Sequence, residues 1–299
     1  MAVTAQAVGQ LRERTGAGMM ECKRALVETN GDLDAAAELM RKQGLAKADK
    51  KASRVAAEGV IATAVSADGK SSVMVEVNCE TDFVARGDDF TGFAATVAKL
   101  TLDSKAADIA AVLATKTASG ETVDDLRRTL IAKIGENISV RRFVRVETSG
   151  FLGSYLHGTR IGTLVALEGG DATLAKDLAM HVAAANPTYL AATDVPAEDV
   201  AKERGIRVEI SKNDEKNKGK PEQVLVKIVE GGINKWLNEI TLLGQPFVKD
   251  DKISIEKLLA KASAKVTRFE RLEVGAGIEK KQDDFVAEVM AQAKGSGGR

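Results

Sequence analysis

The chain has 299 residues, of which 44% are hydrophobic and 29% charged, so it is long enough for more than one domain and too apolar to be disordered or fibrous. Its 43 lysines and arginines equal its 43 aspartates and glutamates, which excludes an overall basic field that would attract nucleic acid. No apolar run approaches the roughly 20 residues that span a bilayer, and residues 1–4 do not begin a signal peptide, so we expect a cytoplasmic protein.

Residues 1–44 predict a small domain of three short helices. Thr4 can cap the first helix, and the glycine turn at 16–18 ends it. Asp32 can cap the third helix, which should stop at Gly44.

Two adjacent methionines, Met19 and Met20, follow the glycine turn. One interpretation places one of them in the core and leaves the other at the surface. The alternative is a soft contact patch, because adjacent helical residues cannot both face one small core.

Residues 45–58 are rich in alanine and lysine and predict a basic, solvated helical linker. A nucleic-acid patch is the less favoured interpretation, since no aromatic residues alternate with the charges.

Residues 59–149 and 150–280 predict two similar α+β units of one core. Each begins with a glycine that opens a β-hairpin, Gly59 in the first and Gly150 in the second, and each hairpin leads to an alanine-rich helix. The first unit has the longer connection between hairpin and helix, and its additional residues fall at 80–85. A loop added to one copy of a duplicated unit is a place to look for function.

The second unit contains an insertion at about 196–238, where densely charged residues of both signs predict a protruding helical hairpin. The first arm should span Ala197–Lys212. The apolar stripe of the second arm comprises Leu225, Ile228, Gly232 and Trp236. Residues 281–299 predict a last helix, from Phe285 to about Ala293, and a frayed tail.

The added loop carries one bulky apolar residue, Phe83, among acidic neighbours. The same acidic-then-phenylalanine pattern recurs at Asp89–Phe90 and Asp284–Phe285, which indicates an ordinary helix start with a core phenylalanine. The alternative is an exposed ring that wedges into a partner. The residues by themselves favour the helix start.

Chemistry-bearing residues are few. Cys22 and Cys79 form no Cys-x-x-Cys pair, and His157 and His181 have no metal-ligand spacing, so we expect two reduced, partly buried thiols and no zinc site. No Ser/His/Asp or Cys/His arrangement stands out, and no pair of carboxylates has a histidine base. We therefore do not expect an enzyme.

Several segments resemble the signatures of the bacterial elongation factor Ts family. Residues 11–23 (LRERTGAGMMECK) are similar to its N-terminal signature, and residues 76–85 (EVNCETDFVA) to its second. Weaker matches are KIGENI at 133–138, GSYLHG at 153–158, LGQPF at 243–247 and EVGAGIE at 273–279. The resemblance covers essentially the whole chain.

The resemblance implies an α+β fold. It would comprise a three-helix, ubiquitin-associated-like N-terminal domain and a two-part core with antiparallel sheets. A protruding helical hairpin and a C-terminal helix that docks on the partner would complete it. The hairpin departs from the family pattern at Gly205, at the tip from Asn213 to Lys220 and at Gly231–Gly232, which leaves a homodimer through this hairpin open.

The function implied by the resemblance is guanine-nucleotide exchange on the GTPase elongation factor Tu, with no direct nucleic-acid or membrane partner. The chain would need no cofactor, because it acts on the GDP and Mg²⁺ that its partner holds. By motif, the loop that disturbs the Mg²⁺ site consists of Thr81, Asp82, Phe83 and Val84. Further partner contacts match Arg12, Met19, Met20 and His157.

The alternative function is an RNA-binding, translation-associated protein that uses the basic linker and the lysine-rich hairpin tip. The balanced charge and the 4% aromatic content argue against it.

Overall fold

The fold is α+β, as predicted, with a helical N-terminal bundle followed by two three-stranded antiparallel sheets and a small two-stranded one. The computed structural model describes residues 3–279, without the side chains of residues 45–49. No helix in that range is long and apolar enough to cross a membrane. The predicted C-terminal helix, from Phe285 to about Ala293, lies outside the described residues.

The N-terminal bundle contains α1 (Ala5–Thr15), α2 (Met19–Glu28) and α3 (Leu33–Lys51). The Thr4 hydroxyl caps α1 by accepting a hydrogen bond from the Ala7 N–H at 3.2 Å. Gly16 ends α1 in the left-handed conformation, with φ 67°. The largest fully buried side chains between the helices are Leu11 and Leu26. The Asp32 carboxylate caps α3 by accepting a hydrogen bond from the Ala35 N–H at 2.9 Å. The predicted starts of α1 and α3 and the end of α1 are thus confirmed.

The first sheet unit contains β1 (Glu58–Val65), β2 (Ser71–Cys79), α4 (Asp82–Ala85), α5 (Asp88–Ser104), α6 (Ile109–Ala114), α7 (Val123–Ile134) and β3 (Ser139–Glu147). β2 is the central strand and is antiparallel to both neighbours. Nearly every residue of β2 is buried, because helices cover one face of the sheet and the second sheet covers the other.

The second sheet unit contains β4 (Phe151–His157), β5 (Ile161–Glu168), α8 (Ala172–Ala185), α9 (Ala197–Asn213), α10 (Glu222–Ile240), β6 (Pro246–Phe247), β7 (Asp250–Ser254), α11 (Ile255–Lys261) and β8 (Lys265–Glu273). β5 lies between β4 and β8. The two sheets share a core in which Ile61 and Met74 of the first pack with Leu164 of the second. Gly162 permits this approach, because an added Cβ would lie 2.6 Å from the Ile61 Cγ2.

The two units repeat one local geometry, which supports the predicted duplication. An added Cβ at Gly59 would lie 2.1 Å from the carbonyl oxygen of Val77, and one at Gly150 would lie 2.0 Å from that of Leu167. Each central strand also has a β-bulge immediately before that carbonyl-bearing residue. Both opening glycines are therefore required by a close approach of backbone to backbone.

Helix α3 continues through Gly44, so the prediction that it stops there is wrong. Gly44 is buried, and an added Cβ would lie 3.0 Å from the Ala132 Cβ on α7. The glycine thus serves close packing of two helices instead of a helix end. At the end of α3, the Lys51 ammonium donates a hydrogen bond to the Gly135 carbonyl just beyond α7. These contacts attach the bundle to the first sheet unit.

Helices α9 and α10 form the predicted hairpin, but the apolar seam of α10 differs from the predicted stripe. Val229 and Ile233 are buried, whereas Ile228 is 39% exposed. An added Cβ at Gly232 would lie 2.8 Å from Nη1 of Arg207, so the second arm leaves room for this arginine of the first.

A buried carboxylate, Glu76, joins the two sheets beside the bulge of β2. Its Oε1 accepts hydrogen bonds from the Gly275 N–H at 2.8 Å and from Arg141 Nη1 at 3.0 Å, and its Oε2 accepts one from Arg142 Nε at 2.5 Å. The second nitrogen of the Arg142 guanidinium donates to the Glu273 carbonyl at 3.1 Å. The carboxylate of Glu76 on β2 is therefore hydrogen-bonded both to β3 and to the chain that follows β8.

Burial raises the pKa of Glu76, but the hydrogen bonds from Gly275, Asn78, Arg142 and Arg141 together outweigh it, so the pKa lies below the ordinary value of 4.5. The carboxylate stays ionised in the fold because every acceptor site faces a donor.

We expect Glu76→Gln to lower the free energy of unfolding at neutral pH by about 3 kcal/mol, because two guanidinium groups lose their buried counterion. The folded pKa lies below the unfolded one, so this contribution is complete above pH 4.5 and is lost as the pH falls below it. Urea unfolding of both proteins from neutral to acid pH measures the difference, which should shrink towards low pH. The matched control is Glu168→Gln, at the exposed end of β5. A variant as stable as the wild type at neutral pH would contradict this role.

Candidate functional site

The predicted loop Thr81–Val84 lies between β2 and α5 and contains the start of the one-turn helix α4. Thr81 is extended, with φ −121°, and its hydroxyl accepts a hydrogen bond from the Val84 N–H at 3.4 Å. The acidic segment therefore does start a helix, as its pattern predicts.

The ring of Phe83 is not in the core, so that part of the helix-start interpretation is wrong. Phe83 is 84% exposed, whereas Phe90, which follows the same acidic pattern, is fully buried. The buried residue of α4 is Ala85. Full burial of a phenylalanine stabilises by roughly 1.5–3 kcal/mol, and this loop leaves that free energy unused. An exposed ring is the arrangement that a binding surface needs.

The carboxylates of Glu80 and Glu136 connect the start of the loop to the segment after α7 by hydrogen bonds. We call these two residues the carboxylate clamp. Oε2 of Glu136 accepts hydrogen bonds from the N–H groups of Glu80 and Thr81, both at 3.0 Å. Oε1 of Glu136 accepts the Thr81 hydroxyl at 2.6 Å. In return, Oε1 of Glu80 accepts the Asn137 N–H at 2.6 Å, and Oε2 pairs with Arg54 at 2.9 Å.

Asp82, which precedes Phe83 in the chain, pairs with Arg86 at 2.7 Å, one helical turn later. Both side chains are exposed, at 49% and 80%, and such a surface pair contributes at most about 0.5 kcal/mol. Asp82 can therefore exchange Arg86 for a group on a partner at little cost.

Cys79 lies under the loop and cannot act as a nucleophile there. It is fully buried, and its thiol donates to the Thr81 carbonyl at 3.2 Å. Burial, and then the charges of Glu136 and Glu58, raises the pKa of Cys79 to about 12. Cys22 is likewise free and buried.

The N-terminal patch, which we define as Arg12, Met19 and Met20, lies on the bundle. Met19 is 58% and Met20 71% exposed, so the interpretation that buries one of them is wrong. The inward face of α2 is already occupied by Cys22, Ala25 and Leu26. Arg12 is also exposed. The contact-patch interpretation is the one that this geometry supports.

His157 ends β4 and is exposed, with its Nδ1 3.3 Å from the Tyr155 hydroxyl. The turn that follows is fixed to β1, because the Ile61 N–H donates to the Thr159 carbonyl at 2.8 Å. The chain therefore presents this imidazole at a defined edge of the second sheet.

His181, by contrast, is structural. Its Nδ1 accepts the Val248 N–H at 3.2 Å, so Nε2 carries the proton and donates to Gln245 Oε1 at 3.0 Å. Burial lowers the pKa of this histidine, which keeps it neutral.

The predicted residues thus belong to three different structural units. Thr81–Val84 belongs to the first sheet unit, the N-terminal patch to the bundle and His157 to the second unit. Sequence reasoning assigned no role to Glu136, although it lies within one of the weaker family matches. Across residues 3–279, no cluster of three metal-ligating side chains is present.

Comparisons with known proteins agree on one family. The family model described as Elongation factor TS matches residues 80–276. An elongation factor Ts from Alkalilimnicola ehrlichii is 57% identical over 297 residues, which cover 99% of this chain and 100% of that protein. Proteins of the same name from Methylococcus capsulatus and Halorhodospira halophila are 58% and 54% identical, with 99% of this chain and 100% of each relative covered.

The Cys79 thiol should resist labelling in the folded protein at pH 8. A rise in pKa from 9.0 to about 12 lowers the thiolate fraction roughly a thousandfold, and burial slows access further. In a Cys22→Ala variant, which leaves a single thiol, we expect slow reaction with a disulfide reagent before unfolding and fast reaction in urea. Equal rates in the two states would contradict the buried, protonated thiol.

Proposed function

This chain belongs to the elongation factor Ts family, and we propose from that membership that it accelerates the release of GDP from elongation factor Tu. It would bind the GDP-bound GTPase, loosen the nucleotide and leave the site open for GTP. The observation that carries the proposal is the ring of Phe83, 84% exposed on a one-turn helix whose N-cap residue, Thr81, is held by Glu136 of the carboxylate clamp.

In this proposal Phe83 wedges between helices of the partner beside its Mg²⁺ site, while Asp82 contacts the displaced helix. A GTPase holds GDP largely through backbone donors and through Mg²⁺ that bridges phosphate oxygens. A shift of the elements that support the metal therefore weakens the hold on GDP. The weak pair between Asp82 and Arg86 leaves the aspartate free to change partner.

Exchange of this kind needs no covalent chemistry from the factor, so we propose that it acts by binding alone and carries no cofactor. The factor must bind the nucleotide-free GTPase more tightly than the GDP form, and reciprocity then weakens GDP by the same ratio. We place this activity in the cytoplasm, where translation takes place.

Phe83 cannot supply the whole effect. Burial of one ring contributes roughly 1.5–3 kcal/mol, which corresponds to about 10- to 150-fold in affinity. The N-terminal patch and His157 would provide further binding free energy from two other surfaces. A partner that binds all of these residues would contact the bundle and both sheet units at once.

We expect Phe83→Ala to slow the stimulated release of GDP by about 10- to 150-fold, because the variant lacks the ring that would displace the partner's helices. Release of a fluorescent GDP from elongation factor Tu, at fixed Mg²⁺ and with substoichiometric factor, measures the rate. Because Phe83 makes little packing contact, the variant should unfold at the same urea concentration as the wild type.

The matched control is Phe151→Ala, which removes a partly exposed ring at the far end of β4 from His157. It should leave the exchange rate within about twofold of the wild type, as for a surface residue outside the interface. Unchanged release by the Phe83→Ala variant would refute the wedge, whereas inactivity of the wild type would refute the exchange function itself.

We expect Arg12→Ala and Met19→Ala to weaken complex formation more than they slow exchange at saturation. Loss of one anchor at an interface raises the half-saturating factor concentration roughly 5- to 30-fold. A titration of the factor against the GDP release rate separates the two quantities. Val65→Ala, a truncation at another exposed apolar position, should change neither. Normal affinity of both patch variants would mean that the N-terminal patch does not touch the partner.

A further inference from the structure

We propose that Glu136 is a positioning residue for nucleotide exchange, which fixes the Thr81–Val84 loop in the conformation that presents Phe83. This inference rests on the proposed exchange function. Glu136 itself would not need to touch the partner, because it acts through Thr81.

The contacts of Glu136 control both the backbone and the side chain of Thr81. One carboxylate oxygen accepts hydrogen bonds from two successive N–H groups, those of Glu80 and Thr81. The other oxygen accepts a hydrogen bond from the Thr81 hydroxyl. A hydroxyl has one proton to donate. Donation of that proton to Glu136 fixes the orientation of the hydroxyl, and one of its two lone pairs accepts the Val84 N–H in the first turn of α4.

The loop needs this support because α4 is very short. A single helical turn fixes several backbone angles for one or two hydrogen bonds and does not form stably by itself. Only Ala85 of its residues is buried, and Phe83 faces water. Without the bonds to Glu136, an exposed apolar ring would tend to fold back onto the surface of its own protein.

Glu136 can serve as a support because its own position is fixed. The next residue, Asn137, donates its N–H to Glu80 at 2.6 Å and its side-chain amide to the Arg54 carbonyl at 2.7 Å. Arg54 in turn pairs with Glu80 at 2.9 Å. The end of β2 and the segments after α7 and α3 therefore form one connected polar network, and the loop is preorganised before any partner arrives.

The decisive variant is Glu136→Ala, examined by amide hydrogen exchange in the free protein and by GDP release with elongation factor Tu. We expect faster hydrogen exchange at Thr81 and Val84 and a maximal GDP release rate lowered about tenfold, as for loss of hydrogen bonds to a charged acceptor. The half-saturating concentration should change much less than the maximal rate. Glu136→Gln keeps an acceptor oxygen for the two N–H groups, so it should restore most of the rate and show that the fold is intact.

Two controls isolate the effect on the loop. Glu147→Ala removes an exposed carboxylate of the same sheet unit, at the end of β3, and should change neither the hydrogen exchange of the loop nor the GDP release rate. In a Phe83→Ala background, Glu136→Ala should have little further effect on GDP release, because a support has no function once the ring is absent. A full additional tenfold loss in that background would overturn the positioning role.

Hydrogen exchange at Thr81 and Val84 that is unaltered in Glu136→Ala would also overturn the inference, with the exchange function untouched. Normal GDP release by Glu136→Ala, alongside impaired release by Phe83→Ala, would overturn it in the same way. A wild-type protein that does not accelerate GDP release would instead refute the proposed function, and the role of Glu136 in exchange with it.

Discussion

The relation between the two sheets depends on the buried carboxylate of Glu76. It lies at the bulge of β2, a strand covered on both faces, and it accepts hydrogen bonds from two arginines of β3 and from the chain beyond β8. A buried ion pair adds little net stability over apolar side chains of the same size, because desolvation offsets much of the attraction. Its effect is positional: the carboxylate is satisfied only when β2, β3 and the end of β8 occupy their present places.

That fixed strand is the base of the candidate site. β2 ends at Cys79, three residues after Glu76, and the carboxylate clamp begins with the next residue. The loop therefore follows directly on the hydrogen-bond network of Glu76, and its own first residues belong to the network of the carboxylate clamp. An exposed phenylalanine is unfavourable in the free protein, and the free energy recovered on its burial becomes available for binding. Because the backbone is already ordered, less of that free energy is lost to conformational entropy when a partner binds.

The duplicated units show how such a loop can be added without disturbing a fold. Both contain the same bulge and the same glycine contact at the hairpin opening. In the second unit, β5 reaches α8 through Gly169 and Gly170, both left-handed, and Asp171 caps the helix at once. In the first unit, α4 and the residues around it occupy the equivalent connection. The insertion lies after the end of the central strand, so the strands pair in the same way in both sheets.

The sequence alone determined the features that rest on local hydrogen bonds: helix starts at Thr4 and Asp32, the opening glycines, and the loop residues that match a family signature. Tertiary structure decided burial, because burial depends on what lies opposite a residue. Phe83 and Phe90 follow the same local pattern, yet only Phe90 meets a core, and Gly44 packs against Ala132 instead of ending a helix. The hydrogen bonds of Glu136 to Thr81 cross 55 positions of the chain, and no local pattern predicts a contact that only the folded backbone brings within reach.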